Sequence, residues 1–243
     1  MTILVTRPEA DAAATIRRLA ARGYTGLSAP GLVVAPVAGW HIPDNPAALV
    51  LTSRNAAVSL SNRTDLSDFR DIPVLCVGDK TADAARAAGF SSVRSAGGTV
   101  TDLMHLVAAT CSRDGGPIIY LSGRAVSEDL DETLEDAGFD TRRIVVYDAV
   151  PAQALPVEAV EAIRMGQIDA VLFYSPRSVG AVSALAASAG VSDALSGIPA
   201  VTLSDRVAAA AKKSGYRHIF VARTPQESDL LIALDTAVAT TSD

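Results

Sequence analysis

Hydroxyl and guanidinium side chains recur at one kind of place in this chain, the point where a short apolar run gives way to a helical pattern. Seven of eight such junctions carry Ser or Thr (Thr6, Ser53, Thr99, Ser122, Ser175, Ser204 and Thr224), and the eighth carries Gly78. Basic residues stand within a few positions of the same junctions: Arg7, Arg54, Lys80, Arg124, Arg177, Arg206 and Arg223. Thr6-Arg7-Pro8-Glu9 and Thr224-Pro225-Gln226-Glu227 also fit the capping box, with Pro at an early helical position. A helix N-terminus presents free N–H groups and the positive end of its dipole, so it attracts anions. Arginine outnumbers lysine 18 to 3, and its planar fork suits carboxylate or phosphate. Helix capping accounts for any one of these hydroxyls, and solvated surface charge for any one of these cations. As a set on one rim they predict a basic cleft for a polyanion, built from Thr6, Arg7, Ser53, Arg54, Gly78, Ser122, Gly123, Ser175, Arg177 and Ser204.

Other chemistries lack their residues. The two cysteines, Cys76 and Cys111, are too few for a disulfide scaffold, and Cys76 sits in an apolar run, which predicts a buried thiol in a reducing cytoplasm. His41, His105 and His218 are scattered and no HExxH pattern occurs, so a metal site is not expected. There is no GxxxxGK[ST] loop, no strand–GxGxxG–helix fingerprint and no GxSxG nucleophile elbow. Ala96-Gly97-Gly98-Thr99 is a glycine turn able to approach a ligand, and Asp79 and Asp205 read as acids favoured by a helix dipole.

The elements that must position the rim follow from periodicity. The apolar runs are Thr2–Val5, Ala48–Leu51, Val74–Val77, Ser92–Ser95, Ile118–Leu121, Ala170–Phe173, Ala200–Leu203 and His218–Val221. They are rich in Val, Ile and Leu and do not alternate with polar residues, the pattern of strands buried on both faces of a parallel sheet. Between them lie Ala/Arg/Leu segments of helical spacing, several ending in Gly-aromatic pairs: Gly23-Tyr24, Gly89-Phe90, Gly138-Phe139 and Gly215-Tyr216. Alternating strands and helices predict an α/β fold. With 49% hydrophobic and 20% charged residues the chain can bury a core. Its net charge of −6 argues against a grip on nucleic acid. No apolar run is long enough to span a bilayer, and the N-terminus reads as a first strand rather than a signal peptide.

An internal repeat sets the domain count. Ile72–Lys80 resembles Ile198–Arg206, Leu51-Thr52-Ser53-Arg54 matches Phe173-Tyr174-Ser175-Pro176, and Thr101-Asp102-Leu103 matches Ser228-Asp229-Leu230. Val5-Thr6-Arg7 pairs with Leu121-Ser122-Gly123-Arg124. Two similar parallel-sheet domains follow, with a ligand cleft between them. Leu32–Val37 and Ile144–Val150 are read as the two strands that cross between domains. The first domain then comprises residues 1–34 plus 149–243, and the inserted second domain residues 35–148.

Several short motifs in this order resemble one family, uroporphyrinogen-III synthase. They are Val5-Thr6-Arg7-Pro8, Leu51-Thr52-Ser53-Arg54-Asn55-Ala56, Val77-Gly78-Asp79-Lys80-Thr81-Ala82, Tyr120-Leu121-Ser122-Gly123, Val146-Tyr147, Phe173-Tyr174-Ser175-Pro176-Arg177-Ser178-Val179 and Leu203-Ser204. The resemblance covers about 235 residues. It implies two flavodoxin-like α/β domains joined by a two-stranded linker. It also implies a cyclising lyase that converts hydroxymethylbilane to uroporphyrinogen III with loss of water, inverting ring D through a spirocyclic intermediate. The family uses no metal or organic cofactor. Its partner is an anionic linear tetrapyrrole, with no nucleic acid or membrane involved, and the protein is expected to be a cytoplasmic monomer. The family's linker tyrosine falls on Tyr147, read as general acid, and its threonine after Val-Gly falls on Thr81. At Leu203-Ser204 this chain departs from the family's usual Gly with Thr or Ser.

Two other readings stay open on the residues alone. A two-domain protein that binds a small anion without chemistry would use the same rim. A nucleotide-sugar transferase of two Rossmann-like domains would add a phosphate-type glycine loop.

Overall fold

All eight apolar runs form strands. The computed structural model describes residues 1–61, 63–126 and 129–241. The chain forms two compact units, one of Met1–Val33 with Val150–Asp243 and one of Val34–Ala149.

The first unit holds β1 (Thr2–Val5), α1 (Glu9–Ala20), β2 (Thr25–Ser28), α6 (Val157–Arg164), β9 (Ala170–Phe173), α7 (Pro176–Ser188), α8 (Ser192–Gly197), β10 (Ala200–Thr202), α9 (Asp205–Lys213), β11 (Ile219–Val221) and α10 (Glu227–Thr241). Its sheet runs β11-β10-β9-β1-β2, and every pairing is parallel. In the unit's own strand sequence this is the 2-1-3-4-5 order of the flavodoxin-like folds. Successive residues of a strand face opposite ways, so Leu4 and Val171 join one apolar layer while Ile3, Val5 and Leu172 join the other. Burial on both faces is why these runs do not alternate.

The second unit begins in β3 (Leu32–Pro36) and continues through β4 (Ala48–Leu51), α2 (Arg54–Leu60), a 3-10 turn (Thr64–Phe69), β5 (Val74–Cys76), α3 (Asp79–Ala87), β6 (Val93–Ser95), α4 (Val100–Thr110), β7 (Ile118–Gly123), α5 (Leu130–Asp136) and β8 (Thr141–Pro151). Its sheet runs β3-β8-β7-β4-β5-β6. Leu49, Leu51 and Ile119 pack on one face, Ala48, Val50 and Tyr120 on the other.

The repeat explains the two strand orders. β7 takes the place of β1, β4 that of β9, β5 that of β10 and β6 that of β11. Read from β7, the second sheet becomes the same 2-1-3-4-5 pattern with its first βα unit moved to the end of the chain segment. At Gly89 and Gly215 the chain takes φ of +93° and +89° after α3 and α9. Glycine adopts that left-handed closure without a Cβ penalty, and the next residues, Phe90 and Tyr216, turn back into the core.

One strand has no counterpart among the apolar runs or the two crossing segments. β2 reads Thr-Gly-Leu-Ser and lies at a sheet edge, with no residue fully buried. The segments read as linkers are β3 and part of β8, neighbouring strands of the second unit's sheet.

Candidate active site

Open parallel sheets bind ligands outside the carboxyl ends of their strands, where strand order reverses. In the second unit that point lies between β4 and β7. A cleft of about 250 Å³ opens there, lined by Thr52 and Ser53 after β4, Val77 after β5, Tyr120 and Gly123 of β7, and Tyr147 of β8.

A bulge aims Tyr147. The β7–β8 register is regular through Ser122↔Val145, then slips so that Gly123 pairs with Tyr147. Such a bulge bends a strand and re-aims its side chains. The tyrosine ring lies directly on Gly123: a Cβ at that position would stand 2.6 Å from Cζ and 2.9 Å from Oη. Only glycine admits this seat. Arg143 holds the turn from beneath. Its Nε donates to Ser122 Oγ at 2.8 Å, and its Nη2 donates to the carbonyls of Gly123 and Arg124 at 3.0 Å each. At the cleft floor the Tyr120 and Thr52 hydroxyls share a hydrogen bond of 3.1 Å. Burial pushes the Tyr120 phenol above its ordinary range. Ser53 caps α2, accepting from Asn55 N at 3.1 Å, and Arg54 stands exposed on the first turn of that helix.

The structure thus brings Ser53, Gly123 and Tyr147 into one cleft. Gly78 caps α3 nearby in the fold and is half-buried, while Thr81 is buried on the inner face of that helix. Ser122 differs from its expected role: it is 1% exposed and its hydroxyl is engaged by Arg143 and Gly123 O, so it presents nothing to a ligand.

The equivalent point of the first unit is filled by side chains. The Arg7 guanidinium stacks 4.3 Å above the Tyr174 ring and pairs with Glu227 at 3.4 Å and Asp11 at 3.7 Å. Glu227 also accepts from Thr15 at 2.5 Å, from Tyr174 at 3.1 Å and from Arg18. Burial lifts the Tyr174 phenol to about 12. Thr6, expected at the rim, is fully buried and donates to Leu172 O at 2.6 Å across the sheet. Its capping box does not form, because Pro8 precedes α1 without a side-chain cap. Thr224 likewise bonds Asp229 at 2.7 Å rather than Glu227, which turns inward. Ser175 forms a capping box with Ser178 on α7, and Arg177 is exposed one position into that helix. Ser204 stands at the α9 N-cap position with no side-chain cap bond. Among the other rim cations, Arg124 pairs with Asp148 at 2.7 Å and Arg223 with Asp229 at 3.7 Å.

Thr52, Tyr120 and Arg143 were not singled out from the residues as site groups. The first two stand inside quoted motifs and so carry a signal. Arg143 acts across 20 positions and carries none.

The sequence model of the uroporphyrinogen-III synthase HemD family matches residues 13–232, most of the chain. The chain belongs to the uroporphyrinogen-III synthase family. A curated relative named uroporphyrinogen-III synthase from Chlorobaculum parvum is 25% identical over 186 residues, 72% of this chain and 75% of that protein. Among solved structures, the uroporphyrinogen-III synthetase of Helicobacter pylori aligns with a TM-score of 0.59 at 17% identity, covering 97% of this chain and 99% of that one. That likeness supports the α/β fold. A mutant uroporphyrinogen III synthase of Thermus thermophilus aligns with a TM-score of 0.48 at 17% identity, over 99% of each chain. Family membership makes the chain a cyclising lyase of tetrapyrrole biosynthesis, acting on hydroxymethylbilane. Among the described residues no helix is long and apolar enough to cross a membrane.

Proposed function

We propose that this synthase closes hydroxymethylbilane at the cleft of the second unit, with the departing hydroxyl beside Tyr147. The pyrrole nitrogen lone pair expels the hydroxyl, which takes a proton from the Tyr147 phenol and leaves as water. The resulting azafulvene is attacked by the substituted carbon of ring D, and the spirocyclic intermediate reopens and recloses with that ring inverted. The proton lost on final closure restores the phenol. A phenol is a donor at neutral pH without prior activation, and one positioned donor is worth up to ~10²–10⁴-fold. The remaining task is to hold ring D for attack at its substituted carbon, which is catalysis by orientation. The helix N-termini of the same unit at Ser53 and Gly78, with Arg54 exposed beside the first, suit the substrate's carboxylates.

The observation that carries this reading is Tyr147 seated on Gly123 at the point where strand order reverses. The test is incubation with hydroxymethylbilane followed by isomer analysis of the oxidised product. Isomer III in excess of the spontaneous isomer I is expected. A product mixture equal to the enzyme-free control refutes the reading and leaves an anion-binding protein.

The finer setting belongs to the same proposal: a cytoplasmic monomer that does not bind nucleic acid. Cys76 and Cys111 are both free thiols, which suits a reducing compartment. The net charge of −6 opposes association with polyphosphate. Light scattering at a mass near 25.0 kDa checks the monomer.

A further inference from the structure

The Tyr147 cleft, at about 250 Å³, lies below the ~300–1,000 Å³ of pockets that take a drug-sized ligand. A linear chain of four pyrroles with acid side arms is larger than such a ligand. A second hollow of about 520 Å³ opens in the same unit, on the far side of the first turn of α2. Ser53 lines the cleft and Asn55 lines this groove, and the two are joined by the Asn55 N–Ser53 Oγ hydrogen bond of 3.1 Å.

The groove has apolar walls and one cation. Val34 and Pro36 form one wall, Val58 the other, and Trp40 and Arg63 complete it. Val58 is 53% exposed and Val34 36% exposed, so apolar surface stands open there among the described residues. Arg63 stacks 4.0 Å above the Trp40 ring and donates to Trp40 O at 3.1 Å. Asp65 takes its Nε at 2.7 Å and its Nη2 at 2.5 Å. Its Nη1 has no hydrogen bond among the described residues.

We propose that this groove is a second substrate subsite, in which a pyrrole ring of the tetrapyrrole lies between Val58 and the Trp40 side while its carboxylate meets Arg63. The proposal rests on the reading that the Tyr147 cleft takes the reacting end of the substrate. A flat ring with an apolar face and a short acid arm matches apolar walls with one cation. The acid arm finds in Arg63 the charge-assisted partner that a purely apolar groove lacks.

Trp40 is the sole tryptophan of the sequence, so its emission reports on this groove. The probe is uroporphyrinogen III under anaerobic conditions, whose unconjugated pyrroles do not absorb where tryptophan emits. A saturable change in emission is expected over the concentrations that slow turnover. Val58→Asp, which sets a like charge against the acid arm at an exposed position, is expected to raise KM for hydroxymethylbilane roughly tenfold, the scale of one partly lost apolar side-chain contact, with kcat and melting temperature held. Inhibition of turnover without any change in Trp40 emission, or a Val58→Asp enzyme with parental KM, overturns the subsite and leaves the Tyr147 reading intact. Emission that changes with protein concentration alone makes a second copy of the chain the occupant, which also overturns it. Failure of the parent protein both to turn over hydroxymethylbilane and to respond to the probe overturns both readings together.

Discussion

Replacing Gly123 by alanine tests whether the position of the Tyr147 ring matters. The added Cβ would lie 2.6 Å from Cζ, 2.7 Å from Cε2 and 2.9 Å from Oη. Carbon atoms rest at ~3.5–4.0 Å, so the ring must recede by roughly 1 Å. Overpacking of this kind costs ~1–3 kcal/mol. Tyr147 is half-buried and opens on the cleft, so the ring relieves the clash by moving outward and the cost falls at the low end, ~1 kcal/mol. For a chain of this size that is a fall of ~2–4 °C in Tm. The effect on turnover is far larger, because a ~1 Å misplacement of a reacting group costs on the order of 10²-fold. The assay pairs a thermal melt with kcat/KM for hydroxymethylbilane and the isomer ratio of the product. Gly180→Ala is the control: nothing lies within 4 Å of its Cβ and it sits in α7, where Ala is favoured over Gly by ~0.8–1.0 kcal/mol. It is expected to raise Tm with turnover unchanged. A Gly123→Ala enzyme with lowered Tm and parental kcat/KM would falsify the claim that the seat on Gly123 serves catalysis.

Four further outcomes are expected. Tyr147→Phe keeps the fold and still yields isomer III but loses roughly 10-fold to 10²-fold in rate, near the low end for a positioned donor because the leaving group is easily expelled; a parental rate makes the hydroxyl structural. Arg143→Met removes three hydrogen bonds from the Ser122–Arg124 turn and is expected to lower kcat, with Arg143→Lys recovering part of it; equal kcat in all three proteins refutes a positioning role. Tyr174 and Cys76 are each pushed up to about 12 by burial, so their contribution to stability is complete below the unfolded values of ~10 and ~8.5 and is lost as pH rises toward 12; denaturant midpoints that stay flat from pH 9 to 12 contradict this. Iodoacetamide at pH 8 is expected to alkylate Cys111 before the fully buried Cys76; equal rates in the folded protein refute it.

The central strands of both sheets were legible because burial on two faces leaves almost nothing but apolar residues, and Ala48–Leu51 and Ala170–Phe173 match the observed limits residue for residue. β2 escaped because an edge strand is half-solvated and needs no apolar run. Its Gly26 serves packing, since a Cβ there would stand 2.8 Å from Ile16 Cγ1. Hydroxyls at strand ends were legible as a class, but their direction was not. Thr6 and Ser122 occupy equivalent places in the repeat, and both turn into the sheet, where Thr6 donates to Leu172 O and Ser122 accepts from Arg143. Local pattern encodes that a junction needs a hydroxyl; which polar group meets it is decided by residues 21 to 166 positions away. The same limit hid Arg143.

The repeat makes the difference between the two units physically informative. Both sheets reduce to one strand order, and both have a reversal point flanked by corresponding junctions, Thr6-Arg7 with Tyr174-Ser175 in one and Ser122-Gly123 with Thr52-Ser53 in the other. In the first unit a large residue stands on each side, and Arg7 and Tyr174 stack on one another with Glu227 binding both. In the second unit small residues stand on each side, Gly123 and Thr52, and the space they leave is the cleft roofed by Tyr147. Side-chain volume at two equivalent positions therefore separates a closed reversal point from an open one. Enlarging Thr52 to Tyr, as in its counterpart Tyr174, would refill the cleft without disturbing β4, whose four residues are already buried. Such a variant is expected to fold and to lose turnover. If it turns over hydroxymethylbilane at the parental rate, the reaction takes place elsewhere in the protein.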